Sequence, residues 1–403
     1  MNRRSIRFIA AAFVCAALSL CALVGEGRGQ DAEKGGGRGE TVAFDSDRWV
    51  VSGTGVKREE HLGRRSLFLA GGAFAHLKDV EFEDGTIEVD VAASQPRAFL
   101  GVAFRFLSRE EHEMFYLRPQ KSGLADATQY TPAFNAAHPW QLYSGKGFTA
   151  AAEIPRDRWL HVRIEINGLA GRVYLDNAAE PVLVIEDLKR GHGKGSVGLW
   201  GSAMGGHFAD FKFTAAKPSA TRTAPQTQPT AAGVLTKWEL SDAFDTAEKS
   251  LETLPAADAW KAMRWQAVTT EAPGILVIDR YRKGHNVVPA FAGDPNLRLQ
   301  KARGPKAVYA RARLHSEREQ VKKLHFGYSD EVTVFLNGQP LFTGKSAFRF
   351  RDPGFLGIVD VENDAVHLPL RKGANELVLA VSEYFGGWGF TCRLQDTAGI
   401  TLD

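Results

Sequence analysis

Two guanidinium groups and a phenol share one face of a single short stretch, "GVAFRFLSREEHEMFYLRPQ" at residues 101–120. Apolar and polar residues alternate on either side of the charged run "SREEH". This predicts two antiparallel strands, 99–107 and 113–119, joined by a turn. In that register Arg105 lies near Tyr116 and Ala103 near Arg118, while Val102, Phe104, Phe106, Phe115 and Leu117 point to the opposite, core-forming face. The segment that follows, "SGLADATQYTPAFNAAHPWQLYSGKGFT", is long for a connection and carries Asp126, Gln129, Tyr130, Asn135, Trp140, Gln141 and Tyr143. Loops of such length and chemistry are commonly functional.

Fixed planar donors and acceptors beside aromatic faces suit a polyhydroxylated ligand. Hydroxyls need Arg, Asn, Asp or Gln, and the C–H face of a sugar ring stacks on Trp or Tyr. The candidate binding set is Arg105, Tyr116, Arg118, Gln129, Tyr130, Asn135, Trp140, Gln141, Tyr143 and His207, with Trp200 bordering the same surface. The competing reading is structural. In it Arg105 and Arg118 pair with Glu88, Asp90 or Asp126, and Trp140 and Tyr143 pack beneath the loop. Tyr384 and Trp388, in "EYFGGWGF", are expected to fill a core.

Catalytic motifs are sparse. Two carboxylates can flank a scissile glycosidic bond as nucleophile and acid, and "IEVDVAA" supplies Glu88 and Asp90, followed by Ala92 and Ala93 with no third carboxylate. Glu88 and Asp126 are the candidates for acid or base, with Arg105 or Arg118 stabilising developing negative charge. "GQPLFTGKS" lacks the first glycine of a phosphate loop, which is Gln339 here, and its flanks read as strands. "DVENDAVH" spaces Asp360, Glu362 and Asp364 like calcium ligands, yet Ala365 occupies the position of the turn glycine. No Gly-x-Ser-x-Gly elbow occurs. The sequence marks no cofactor; a structural calcium shared between loops needs no contiguous motif, and its ligands are not placed.

The elements that must position these residues are strands. Ile87, Val89 and Val91 alternate with Thr86, Glu88 and Asp90; Leu160, Val162, Ile164 and Ile166 alternate with His161, Arg163 and Glu165. A period of two, with turn signals at short intervals, predicts an antiparallel two-sheet sandwich over 41–214. A second sandwich, 234–403, contains Asn337-Gly338 between two alternating arms, a hairpin signal because both residues accept positive φ. "DTAEKSLETL" and "AADAWKAMRW" read as short helices or as loops wrapping this sandwich. Between the two bodies, 215–233 is a Pro/Thr/Ala-rich linker without large apolar residues.

Arg3, Arg4 and Arg7 precede an apolar run from Phe8 to Val24, the layout of an export signal over 1–25, followed by a Gly-rich segment, 26–40, that cannot pack. Loss of those three arginines from 50 basic residues leaves 47 against 47 acidic ones. A neutral chain without a basic cluster gives no electrostatic support for a nucleic-acid or membrane partner. Cys15 and Cys21 leave with the signal, so Cys392 has no intrachain disulfide partner. A secreted or periplasmic location follows.

The strand order of 41–214, with its polar-aromatic middle and the ending "GSVGLWGSAMGGHFADFKF", resembles the concanavalin A-like lectin/glucanase jelly roll. More narrowly it is similar to the LamG-like domains related to the 3-keto-disaccharide hydrolase family. Residues 238–396, through "FGYSDEVTVFLNGQPLF" and "GGWGF", resemble a galactose-binding-like sandwich. The resemblance implies an all-β protein that binds carbohydrate in a cleft of the N-terminal jelly roll. The alternatives are a glycoside hydrolase or lyase, and a structural or adhesive protein of the cell envelope. The Asn-Gly-Lys-Asp opening of the hydrolase family is absent near "AFDSDRWVV".

Overall fold

Ile87, Val89 and Val91 are buried along the strand Asp84–Ala92, and Glu88 and Asp90 between them are half-buried on its other face. The computed structural model describes residues 39–93, 95–216, 230–284 and 306–402. The expected export signal and nearly all of the Gly-rich segment lie outside those residues, as does most of the linker. Ala215 and Ala216 close the strand Gly206–Ala216 rather than opening a linker. The described residues form an all-β structure, and none of their helices is long and apolar enough to cross a membrane.

Two antiparallel sheets build the first sandwich. One runs, in spatial order, Leu183–Ile185, Ala170–Leu175, Leu160–Asn167, Asp84–Ala92, Gly206–Ala216, Arg64–Ala70 and Gly55–His61, with Glu40–Thr41 pairing on Gly206–Ala216. The other runs Thr149–Ala150, Thr128–Ala133, Glu111–Leu117, Ala98–Ser108, Ser196–Ala203, Ala73–Leu77 and Trp49–Ser52. Leu67, Val89, Val162, Phe208 and Phe211 of the first sheet meet Val102, Phe104, Phe115, Leu117 and Leu199 of the second in one core. Inward apolar residues at every second position are what a sandwich requires.

The hairpin at 98–117 departs from the expected register. Leu100 stands opposite Leu117, Gly101 opposite Tyr116 and Phe104 opposite Glu113, and the pairing then breaks until Ser108 meets Glu111. Arg105 occupies the break with φ of 46°. An irregular residue inside a strand turns the following side chains to the other face. Val102 and Phe104 stay in the core as expected, but Phe106 emerges with Phe74, Ala103 and Trp200 on the outer face. Tyr116 therefore does not neighbour Arg105.

In the second sandwich one sheet runs Trp265–Thr269, Lys237–Ser241, Lys306–Ser316, Gly373–Glu383, Glu331–Leu336 and Gln339–Lys345, with Phe244–Asp245 and Ile400–Leu402 also on Lys306–Ser316. The facing sheet runs Ile275–Val277, Gly389–Leu394, Gln320–Ser329 and Asp364–Leu370. Asn337 and Gly338 make the expected tight turn, with φ of 51° and 82°. Trp388 is fully buried in this core. "AADAWKAMRW" contains a short helix, Ala257–Lys261. After Asp245, "DTAEKSLETL" is irregular: Leu251 and Leu254 reach the outer patch around Tyr309 and Phe335 from a wrapping loop.

The long segment after the hairpin docks one sandwich onto the other. Gln141, fully buried, donates from its backbone N–H to the Gly386 carbonyl (2.9 Å) and from Nε2 to the Leu356 carbonyl (2.7 Å). Its Oε1 accepts from the Ser329 hydroxyl at 2.9 Å, and its carbonyl accepts from the Val359 N–H at 3.0 Å. Tyr143 donates to Glu271 (2.9 Å), and Asn135 donates to the Asp279 carbonyl (2.7 Å). Phe134, Leu142, Tyr143 and Val277 bury a shared apolar patch. Gly386 and Gly387, at φ of 94° and 126°, allow this approach, because a Cβ on either would overlap Gln141 or Pro139.

Candidate functional site

Arg118 follows the strand Glu111–Leu117 and opens the turn Pro119–Lys121. The residue is 6% exposed, and its guanidinium donates to the Tyr116 hydroxyl (2.9 Å), to Gln129 Oε1 (3.0 Å) and to the Asp126 carbonyl (3.0 Å). The Asp126 carboxylate lies 3.8 Å from Arg118 and 3.5 Å from Lys121 Nζ. Gln129 completes the support by donating from Nε2 to the carbonyls of Tyr130 and Tyr143, both at 2.7 Å. The Arg118 guanidinium sits over the rings of Tyr116 and Trp140 at 5.0 and 5.6 Å.

A cleft of 560 Å³ opens over this array, within the range of about 300 to 1,000 Å³ common for small-ligand sites. The first sandwich lines it with Tyr116, Arg118, Asp126 and Trp140, all candidates by residue type and spacing, and with Trp200 beside them. It adds Phe99 and His138. Trp200 is edge-on to both Tyr116 and His138 at 5.7 and 5.8 Å. The second sandwich supplies the opposite wall, including Phe348, Glu383, Phe385 and the two glycines that follow. Trp140 bridges the walls, edge-on to Phe348 and Phe385 at 5.9 Å each.

The other sequence-derived candidates lie elsewhere. Arg105, drawn aside by the strand irregularity, donates to the carbonyls of Glu83 (2.9 Å), Gly191 (2.8 Å) and Gly168 (2.6 Å) and to Asp84 (3.2 Å), all within the first sandwich. Tyr130 alternates into the core, where its hydroxyl donates to Glu113 at 2.7 Å. Asn135, Gln141 and Tyr143 face the second sandwich, as described above. His207 belongs to the opposite sheet, stacked on His61 at 3.7 Å and bonded to Glu59 at 2.9 Å. Glu88, the other candidate acid or base, is on that sheet's outer face, paired with Lys212 at 2.9 Å. Asp90 beside it binds Arg64 and His161.

Burial dominates the electrostatics. Desolvation pushes the Tyr116 hydroxyl up from its usual range, keeping it a neutral phenol, and pushes His138 down to about 4, keeping it a neutral imidazole. On the opposite wall, burial together with the charges of Asp279 and Asp330 pushes Glu383 well up from the carboxylate range. The cleft thus pairs a cation-rich corner around Arg118 and Lys121 with a neutral aromatic floor and a buried acid. Among the described residues no group of three or more His, Cys, Asp and Glu side chains is disposed to hold a metal ion. Asp360, Glu362 and Asp364 are engaged within the protein: Asp360 caps the Glu362 N–H, Glu362 pairs with Arg393 and His325, and Asp364 with Arg351.

Part of this site carried a signal in the chain: Tyr116, Arg118, Trp140 and Asp126 stood out by type and proximity. His138, two residues before Trp140, carried none, since a lone histidine in a loop is commonplace. The far wall carried none either, because residues 348–356 and 383–387 reach the cleft only through the docking of the two sandwiches.

No protein-family model matches the sequence, and no curated protein matches it. Among solved structures, a carbohydrate binding module from Bacillus subtilis is similar at 16% identity and a TM-score of 0.33, over 41% of this chain and 94% of that one. A Bacillus subtilis protein of unknown function with a galectin-like fold is similar at 14% identity and a TM-score of 0.30, over 42% and 90%. Domain 4 of an extracellular arabinanase from Geobacillus stearothermophilus, solved in complex with arabinotriose, is similar at 13% identity and a TM-score of 0.27, over 43% and 85%.

Proposed function

We propose that this is an exported protein, secreted or periplasmic, that recognises carbohydrate in the cleft between its two sandwiches. The observation that carries the reading is the convergence of Tyr116, Trp140 and Trp200 around the Arg118–Asp126–Lys121 array. Indole and phenol faces take the C–H face of a pyranose or furanose ring, while a guanidinium and a carboxylate held by neighbours take its hydroxyls in fixed directions. Arg118 is held by three hydrogen bonds, so little order has to be imposed on binding.

A glycoside-cleaving activity, of the 3-keto-disaccharide hydrolase kind, is the second reading. It is favoured by the two differently placed carboxyl groups of the cleft, Asp126 between two cations and Glu383 buried beside two further acids. The same experiment addresses both. The purified protein is incubated with plant, algal and bacterial glycans and with 3-keto disaccharides, and retention and product release are measured together. Retention without products supports recognition alone, and products from one glycan class support the hydrolase. Neither retention nor products leaves a structural or adhesive role.

A further inference from the structure

Glu383 ends the strand Gly373–Glu383 and lines the cleft. It is 1% exposed, and among the described residues neither carboxyl oxygen has a hydrogen-bond partner. Its two acidic neighbours are better served. Asp330 accepts the backbone N–H groups of Tyr384 (2.6 Å) and Phe385 (2.8 Å) and lies 3.1 Å from the Ser329 hydroxyl oxygen. Asp279 accepts the N–H of Trp388 at 2.7 Å. These two carboxylates thus hang the turn that carries the far wall of the cleft, and the carboxyl at the head of that turn is left over. A buried polar group without a partner is costly, and an apolar side chain would fill the place better if packing were its whole task.

We propose that Glu383 is the ligand contact contributed by the second sandwich, its carboxyl group exchanging hydrogen bonds with the hydroxyls of a neutral sugar unit. This rests on the carbohydrate reading of the cleft. Desolvation and the charges of Asp279 and Asp330 favour the protonated form of Glu383, and in that form the group offers one donor as well as acceptor capacity, which matches a hydroxyl. A sugar carboxylate would instead be drawn toward Arg118 and Lys121.

Among the described residues the charged groups around Glu383 are engaged with one another or stand across the cleft. Asp279 and Asp330 face it from the second sandwich. Lys306, on the paired strand, reaches Asp245 at 2.8 Å. Glu331 on the neighbouring strand takes Lys345 and the Tyr384 hydroxyl. Across the cleft stand neutral His138 and the Arg118–Asp126–Lys121 array, with Arg97 and Arg349 also on its walls.

The test is calorimetric titration of the full chain with cellotriose, laminaritriose and xylotriose, from pH 5 to pH 9, using the parent, Glu383→Gln and Glu383→Leu, with thermal unfolding of each. Glu383→Gln should bind within about threefold of the parent, and Glu383→Leu should bind about tenfold more weakly while unfolding no earlier, as expected for loss of one hydrogen-bonding group. Where rising pH removes the proton from Glu383, parent affinity should weaken more than that of the Gln variant, in which only Asp279 and Asp330 still titrate. Equal binding by parent and Glu383→Leu, or a parent profile identical to that of Glu383→Gln, overturns the assignment and leaves the carbohydrate reading standing. A calcium-dependent rise in unfolding temperature that Glu383→Gln abolishes also overturns it, marking the cluster as a cation site. A parent that binds none of the three sugars at any pH overturns the carbohydrate reading and this assignment with it.

Discussion

Replacing Arg105 with alanine should unfold the first sandwich early and leave carbohydrate affinity untouched. The guanidinium is 3% exposed and ties three stretches of chain together, through the carbonyls of Glu83, Gly168 and Gly191 and the carboxylate of Asp84. Asp84 is also 3% exposed and keeps, without Arg105, one bond from the Gly168 N–H at 2.9 Å. Breaking a buried pair by removing one partner costs about 3 to 5 kcal/mol, most of it the stranded charge and its unmet neighbours. For a unit of about 150 to 250 residues, the size class of the first sandwich, that lowers the unfolding temperature by roughly 6 to 20 °C. Thermal and urea unfolding followed by circular dichroism measure the loss, and titration at a temperature where the variant is folded measures affinity. Arg105→Lys should recover only part of the stability, because an ammonium cannot span all four acceptors. A loss below about 1 kcal/mol refutes the clamp, since it is less than one buried charged hydrogen bond contributes. Weaker sugar binding at native stability would return Arg105 to the cleft.

Two further outcomes follow from the docking segment and the buried acids. After cleavage at a protease site inserted within 217–229, the two halves should co-elute on size exclusion, and Gln141→Ala should loosen them by about 2 to 4 kcal/mol through loss of two buried side-chain hydrogen bonds; halves that separate in the parent contradict the interface. Stability should fall as pH rises from the carboxylate range through about 7 and about 8, where Asp330 and Asp279 titrate in the folded protein, because they keep protons there that the unfolded chain has already released. Thermal unfolding between pH 4 and pH 9 checks the sign, and a flat or rising curve over that interval contradicts it.

The sandwich architecture was legible because inward positions repeat with period two: Ile87, Val89 and Val91 are core residues both by alternation and in the fold. The Asn337-Gly338 turn was legible because positive φ at two adjacent residues needs those side chains. Alternation fails where a residue drops out of it. One irregular residue at Arg105 reverses Phe106 and removes Arg105 from the face it was expected to share with Tyr116. The loop after the hairpin was ambiguous for a different reason. Buried amides and phenols serve a protein partner as well as a ligand, so Asn135, Gln141 and Tyr143 look like ligand contacts in the chain and prove to be docking contacts in the fold. Trp140 and Arg118, from the same stretch, do reach the cleft. Nothing local distinguishes these groups, because the distinction is made by where the second sandwich sits.

Trp140 stands at the junction of both walls, so its removal tests the cleft most directly. Titrating the parent and Trp140→Ala with whichever glycan the parent retains should show affinity reduced by about 1 to 3 kcal/mol, roughly 5- to 150-fold, as for loss of a central aromatic contact. Both proteins should show the same folded spectrum at the titration temperature. Equal affinity in the two proteins would place the glycan somewhere other than the cleft between the sandwiches.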